Sequence, residues 1–230
     1  MSRYDKAKVK IIKPCERTKK LEEVCRRLWE NNFDDSTEYI SFYFSDRWKE
    51  STTIIYGEES MLHLNPYRMQ LFGSEKTIYY IVGVCTDKAY RHRGYMDALL
   101  RESFRYLYEK DAPFVYLMPA DEKIYLPYDF TNVYTVNSFE IVSRNGERKN
   151  IDNKLLAAGY DKIAQNEIKA AVYAEMSSNE IEVIGYAELS EKQKSEFIIR
   201  SEKIMSEIFD CYVKRDEFYF EQKNREMKAC

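Results

Sequence analysis

The sequence lacks any apolar run approaching the roughly 18 residues that a membrane-spanning helix needs. Its first ten residues, MSRYDKAKVK, are charged and hold no apolar h-region, so neither export nor membrane insertion is expected. Metal-type spacing is missing as well. The five cysteines, Cys15, Cys25, Cys85, Cys211 and Cys230, are odd in number and scattered, and only His63 and His92 are at hand to assist them. No metal site is expected, and the thiols read as reduced ones in a cytoplasmic protein. Nor is there an excess of one charge sign: a net charge of −3 and a pI of about 5.7 provide no global field for nucleic acid. Internal repeats and low-complexity tracts are absent, and so is the Gly-Lys-Ser/Thr loop of a nucleotide triphosphatase.

What is present fits one large or two small domains with a substantial core, since the chain has 230 residues. Lys8 to Ile12 reads as a strand that leads through Pro14 to a helix over Leu21 to Asn31, and a second short helix is predicted over Thr37 to Phe44. Three strand-like runs follow, Thr52 to Tyr56, Ser60 to Gln70 and Thr77 to Thr86, parted by Gly57-Glu58-Glu59 and Gly73-Ser74-Glu75 as hairpin turns. These form an antiparallel meander. The stretch Val82 to Leu100 then runs from a β-rich strand through a basic glycine turn into a helix whose Met96, Leu99, Leu100, Phe104 and Leu107 recur at helical spacing. The helix is expected over Tyr95 to Lys110. Asp111-Ala112-Pro113 ends it, and Phe114 to Leu117 forms a strand that the crossover places parallel to Thr77–Thr86.

The turn Arg91-His92-Arg93-Gly94-Tyr95 therefore stands at a helix N-terminus, where unpaired amides and the positive dipole end attract phosphate. Gly94 allows close backbone approach. The alternative reading of Arg91 and Arg93 is solvated turn charge. His63 and His92 read as a strand-face and a loop histidine rather than as catalytic bases.

The run Arg91-His92-Arg93-Gly94-Tyr95-Met96 resembles the acyl-CoA loop of the GNAT acetyltransferases: Gln or Arg, two residues, Gly, one residue, then Gly or Ala. Met96 departs from the last position, as members of the Eis-like (enhanced intracellular survival) subgroup often do with a larger apolar residue. Met61-Leu62-His63-Leu64-Asn65-Pro66-Tyr67, Leu117-Met118-Pro119-Ala120, Ile124-Tyr125 and Tyr128-Asp129-Phe130 are also similar to that subgroup, so the resemblance spans about residues 8 to 135. It implies a mixed α/β fold with a central, mostly antiparallel sheet, a splayed parallel strand pair and flanking helices. It also implies acetyl-CoA as cosubstrate and acetylation of a primary amine, on a small molecule such as an aminoglycoside or on a lysine, by direct transfer in a ternary complex.

By the same resemblance, backbone groups of Val82 and Val84 hold the thioester and pantetheine arm. Amides around Arg93, Gly94 and Tyr95, in the loop that also includes His92 and Met96, bind pyrophosphate, with Arg91 and Arg93 pairing to phosphate charge and Lys88 at the rim. Transfer to an amine passes through an oxyanion and expels a thiolate, so donors at oxygen and an acid at sulfur are wanted. Tyr125 is the candidate acid. Asp129 stands where the family commonly has Gly and tolerates a left-handed turn; a contact to a cationic substrate is the other reading. Glu58, Glu59, Asp121 and Glu122 suit a cationic amine if they face the cleft, and no residue is assigned as base.

The chain divides in this reading into residues 1–140, the acyl-CoA-binding domain, and 141–230, a mostly helical extension. Arg144-Asn145-Gly146-Glu147 marks a turn, Arg148 to Lys154 a polar linker, and Ile163 to Met176 and Ser190 to Phe209 helices. The segment Phe209 to Phe220 resembles the opening helices of a second GNAT-like domain whose sheet is missing. Either the chain is a truncated form of a longer tandem protein, or such helices dock on the first domain or on a second subunit, which makes a homo-oligomer an option. A nonenzymatic acyl-CoA-binding module that has lost its base is the rival reading.

Overall fold

A computed structural model describes residues 5–133, 141–142, 148–149 and 186–229. The helix expected over Ile163 to Met176 and the turn at Arg144 to Glu147 lie outside the described residues, as does Cys230. By their contacts the residues form two units, Met1–Ala120 together with Gln193–Cys230, and Asp121–Lys192. The expected boundary near residue 140 therefore does not coincide with this partition.

The first unit is built on a mixed sheet. Its strands are β1 (Val9–Ile12), β2 (Thr52–Tyr56), β3 (Ser60–Leu71), β4 (Ser74–Thr86) and β5 (Val115–Tyr116), neighbours in that order. The first four are antiparallel, and β5 lies parallel to β4 as the crossover requires. β4 starts earlier than expected because the β3–β4 turn is the pair Phe72-Gly73, both at positive φ (47° and 77°), rather than Gly73-Ser74-Glu75. Two left-handed residues suit the strand twist of a tight hairpin.

Helix α1 (Lys19–Glu30) begins where the Thr18 hydroxyl accepts from the Leu21 amide at 3.2 Å, and α2 (Thr37–Ser45) where Ser36 accepts from Tyr39, also at 3.2 Å. Their apolar faces bury Cys25, Leu28, Trp29, Tyr43 and Phe44 against Ile55, Met61 and Cys85 on one face of the sheet. Strand alternation sends Ile54, Leu62, Leu64 and Ile81 to the opposite face. There the buried stripe Leu99, Leu100 and Leu107 of α3 (Tyr95–Glu109) covers the sheet.

The described pair β6 (Ile141–Val142) and β7 (Arg148–Lys149) forms a separate antiparallel ladder in the second unit. Near the C-terminus follow α4 (Glu191–Ile208), β8 (Cys211–Val213) and α5 (Glu217–Ala229). The segment read as opening helices of another domain thus contains a strand. β8 pairs antiparallel with β3, Met69↔Val213 to Leu71↔Cys211, and joins the first unit's sheet. The reason is geometric: β2 leaves β3 after Leu64, so the remaining β3 edge offers unpaired backbone groups that a short aromatic and β-branched segment can satisfy. Among the described residues no helix is long and apolar enough to cross a membrane.

Candidate functional site

Strand β4 bends before it reaches the basic turn. Met61 pairs with Cys85 and His63 with Val82, so β4 carries one residue more than β3 across this interval. The bulge falls at Gly83, whose φ is 64°. A Cβ there would lie 2.8 Å from Trp29 Cζ3 and 3.1 Å from His63 Cδ2. Only glycine accommodates both the left-handed backbone and the rings below it. A bulge bends its strand and raises the local twist. Accordingly, β5 pairs with β4 only at Tyr79↔Val115 and Tyr80↔Tyr116, whereas β4 runs on to Thr86. From Ile81 onward, the β5-side edge of β4 has no strand partner among the described residues. Val82 and Val84 lie on this parted edge, half-buried, and the Val82 side chain packs against the Trp29 cluster, which leaves its backbone as the group on offer.

The turn that follows is braced from several sides. Asp87 accepts from the Ala89 amide at 3.0 Å, and its own amide donates to the Glu59 carbonyl at 2.8 Å. Arg91 Nε donates to the Thr86 carbonyl at 3.2 Å and Nη2 to Asn32 Oδ1 at 2.7 Å. Arg93 donates to the Ala89 carbonyl at 3.2 Å and sits 5.1 Å from the Tyr90 ring centre. Both arginines stay exposed, so each staples the loop while keeping further donors outward.

His92 (φ 63°) and Gly94 (φ 81°) alternate with Arg93, the dihedral pattern that turns successive amides into an anion-binding concavity. Gly94 is the N-cap of the fifteen-residue helix α3 and supplies no capping side chain. Its first-turn amides and dipole end are thereby left to a ligand. Tyr95 stacks on Tyr56, centroids 4.0 Å apart and planes 20° from parallel, which pins the helix start to β2. Met96 is half-buried in the first turn. Loop and parted edge thus come together in one unit, and their residues fit the pyrophosphate and the arm of coenzyme A.

Other candidates fare differently. Glu58 and Glu59 lie in the β2–β3 turn at the loop end of the sheet: Glu58 pairs with Lys20 at 3.0 Å, and the Glu59 carboxylate accepts from the Glu58 amide at 2.8 Å. His63 is fully buried, shares a 3.0 Å hydrogen bond with Thr53 through Nδ1 and stacks on Trp29, and burial lowers its pKa to about 3. It is a neutral core group. The described cysteines are free; burial pushes Cys25 and Cys85 up to about 12, which keeps them as unreactive thiols.

Tyr125 belongs to the second unit. It joins two single-turn 3₁₀ segments, Glu122–Ile124 and Leu126–Tyr128, and meets Phe130 edge-on at 5.7 Å. Desolvation raises its pKa, which favours the protonated phenol. Asp129 takes the left-handed conformation expected of it, φ 61° and ψ 24°. Sequence reasoning missed the bulge and the Asn32 brace. A glycine inside an apolar strand run is the signal that would have found the first.

Residues 16–133 match the family model described as an acetyltransferase (GNAT) domain, about half of the chain. The chain belongs to the GNAT acetyltransferase family. Solved structures similar to this GNAT chain include a conserved protein from Enterococcus faecalis described as a probable N-acyltransferase (18% identity, TM-score 0.45, 52% of this chain and 31% of that one). A GCN5-related N-acetyltransferase from Kribbella flavida gives 16% identity and a TM-score of 0.43 over 54% of this chain and 33% of that one. A GNAT family acetyltransferase from Brucella melitensis, solved in complex with acetyl-CoA, gives the same identity and score over 54% and 83%. The chain spans about a third of the length of the first two. No curated protein sequence matches it.

Proposed function

We propose that this GNAT chain transfers an acetyl group from acetyl-CoA to a primary amine, on a small molecule or a lysine, by direct transfer in a ternary complex. The observation that carries the reading is the Gly83 bulge: it parts β4 from β5 immediately before an amide-lined turn at the start of α3. Acetyl-CoA supplies the activated acyl carbon and a thiolate leaving group. The amides of Arg93, Gly94 and Tyr95 receive the pyrophosphate, with Arg91 and Arg93 adding charge at its rim. Backbone groups of Val82 and Val84 hold the arm and the acyl carbonyl, where a donor aimed at the developing oxyanion lowers the barrier. As the C–N bond forms and the C–S bond breaks, Tyr125 gives its proton to the leaving thiolate and the amine nitrogen releases one to solvent, from which the phenol is reprotonated; a phenol held in its protonated form suits this role.

The motif departure at Met96 and the tyrosine segment around Tyr125 favour the Eis-like subgroup. Calorimetric titration with acetyl-CoA tests the reading, with Gly94→Glu as the loop-disabled control: micromolar binding by the parent, lost in the control, is expected. An amine screen with Tyr125→Phe then separates catalysis from binding, since turnover should fall while affinity is kept. A well-folded parent that ignores acetyl-CoA would refute the proposal.

A further inference from the structure

A cavity of about 360 Å³ lies in the first unit, where β3 and the start of β4 meet the C-terminal elements, away from the loop. Between Leu64, the last partner of β2, and Met69, the first partner of β8, β3 has no strand partner on that edge among the described residues, although the Lys214 amide donates to the Arg68 carbonyl at 2.9 Å. Pro66 sits in this gap, where a residue without an amide proton costs the sheet nothing. The C-terminal elements close the gap into a pocket: Lys214, Asp216 and Tyr219 face Arg47, Tyr67 and Thr77.

Arg47 is the telling residue. Its side chain is 8% exposed, its guanidinium lies over the Tyr67 ring at 4.5 Å, and Nη1 donates to Gln222 Oε1. Nη2 is buried with no hydrogen-bond partner among the described residues. The surrounding charges are already engaged. Arg68 pairs with Asp216, Lys214 with Glu75 at 2.6 Å, and Asp46 takes Arg225 at 2.6 Å and Gln222 at 3.3 Å. The remaining wall carboxylate, Glu50, is exposed to solvent. A buried guanidinium with an uncompensated N–H pays a desolvation penalty that an oxyanion relieves, and its fork geometry matches carboxylate and phosphate.

We propose that this cavity binds a small molecule through a carboxylate or phosphate group held by Arg47. The volume is at the lower end of the range for small-ligand sites, which limits the ligand to metabolite size. Thr77 on the wall is five residues along β4 from Val82, about 17 Å at strand rise, so the site is separate from the acyl-CoA cradle. Glu50 at the wall selects against polyanions and favours a ligand with a single acidic group.

Calorimetric titration of the full chain with propionate and, separately, inorganic phosphate tests the site in the parent, Arg47→Gln, Thr77→Glu and Gly94→Glu. Thr77→Glu places a negative charge on the exposed wall without removing the Arg47–Gln222 bond, so it decides the matter should Arg47→Gln fail to fold. Saturable binding of one probe to one site is expected, weakened at least about tenfold in Arg47→Gln and Thr77→Glu and unchanged in Gly94→Glu. Whichever probe binds more tightly identifies the acidic group. The proposal is overturned if the folded parent binds neither probe, if Thr77→Glu binds as the parent does, or if binding is lost in Gly94→Glu alone, which would assign the anion to the loop.

Discussion

Gly83 and His63 meet at the bulge and set opposite kinds of constraint. A side chain at position 83 faces strain twice, from a left-handed φ of 64° and from Trp29 and His63 within about 3 Å of a new Cβ. Left-handed backbone costs an ordinary residue roughly 1–2 kcal/mol and overpacking a further 1–3, so Gly83→Ala should lose about 3 kcal/mol in urea unfolding at unchanged m value. A loss below about 1 kcal/mol would show that the bulge relaxes freely. His63 acts through protonation. Its pKa falls from 6.5 to about 3 on folding, so below pH 6.5 the unfolded chain binds a proton that the native chain refuses. Stability is therefore complete above pH 6.5 and declines as pH drops toward 3, by about 1.4 kcal/mol per unit. From pH 7 to pH 5 this one group should remove about 2 kcal/mol, and His63→Asn should flatten that part of the profile in parallel urea titrations.

At the scale of elements, β2 (Thr52–Tyr56) and the start of α3 at Tyr95 were legible from sequence, because a short β-branched run bounded by a turn and a glycine before a helical stripe are local signals. β8 was not. Three residues are too few for a periodicity, and Cys211–Val213 becomes a strand only because β3 leaves an edge open more than a hundred residues earlier. The Arg47 cavity was hidden for the same reason, its hydrogen bond reaching 175 residues to Gln222. The loop residues were legible, but their bracing by Asn32 and by the stack on Tyr56 was not, since both partners are set by tertiary packing. β8 also makes a prediction. Tyr212 is buried on it and donates to Glu202 at 3.1 Å. Tyr212→Ala should cost about 3 kcal/mol in urea unfolding through the cavity it leaves, and Tyr212→Phe about 1 through the lost bond. Equal, negligible effects would mean that β8 adds nothing to the sheet.

For the molecule as a whole, the proposed cradle and the core share one sheet, so ligand binding there would be linked to folding. The parted edge of β4 exists because the bulge rests on Trp29, which packs with α2 through Tyr43 and Phe44. The loop is tied back to the end of α1 through Asn32 and to β2 through Tyr56. An unfolded chain keeps none of this geometry and should have no affinity for acetyl-CoA. A ligand that binds only the native state stabilises it by RT ln(1 + [L]/Kd), about 2.7 kcal/mol at a hundredfold excess over Kd. For a chain of this size that amounts to a rise of roughly 5–10 °C in the unfolding midpoint of the unit that holds the cradle, growing with the logarithm of ligand concentration. Gly94→Glu should unfold near the parent's midpoint without ligand and show no rise with it, because the substituted carboxylate repels pyrophosphate at the helix start. Scanning calorimetry with and without acetyl-CoA reads both. A parent whose midpoint ignores a saturating excess would separate the sheet's stability from its open edge and remove the cradle from the account of this fold.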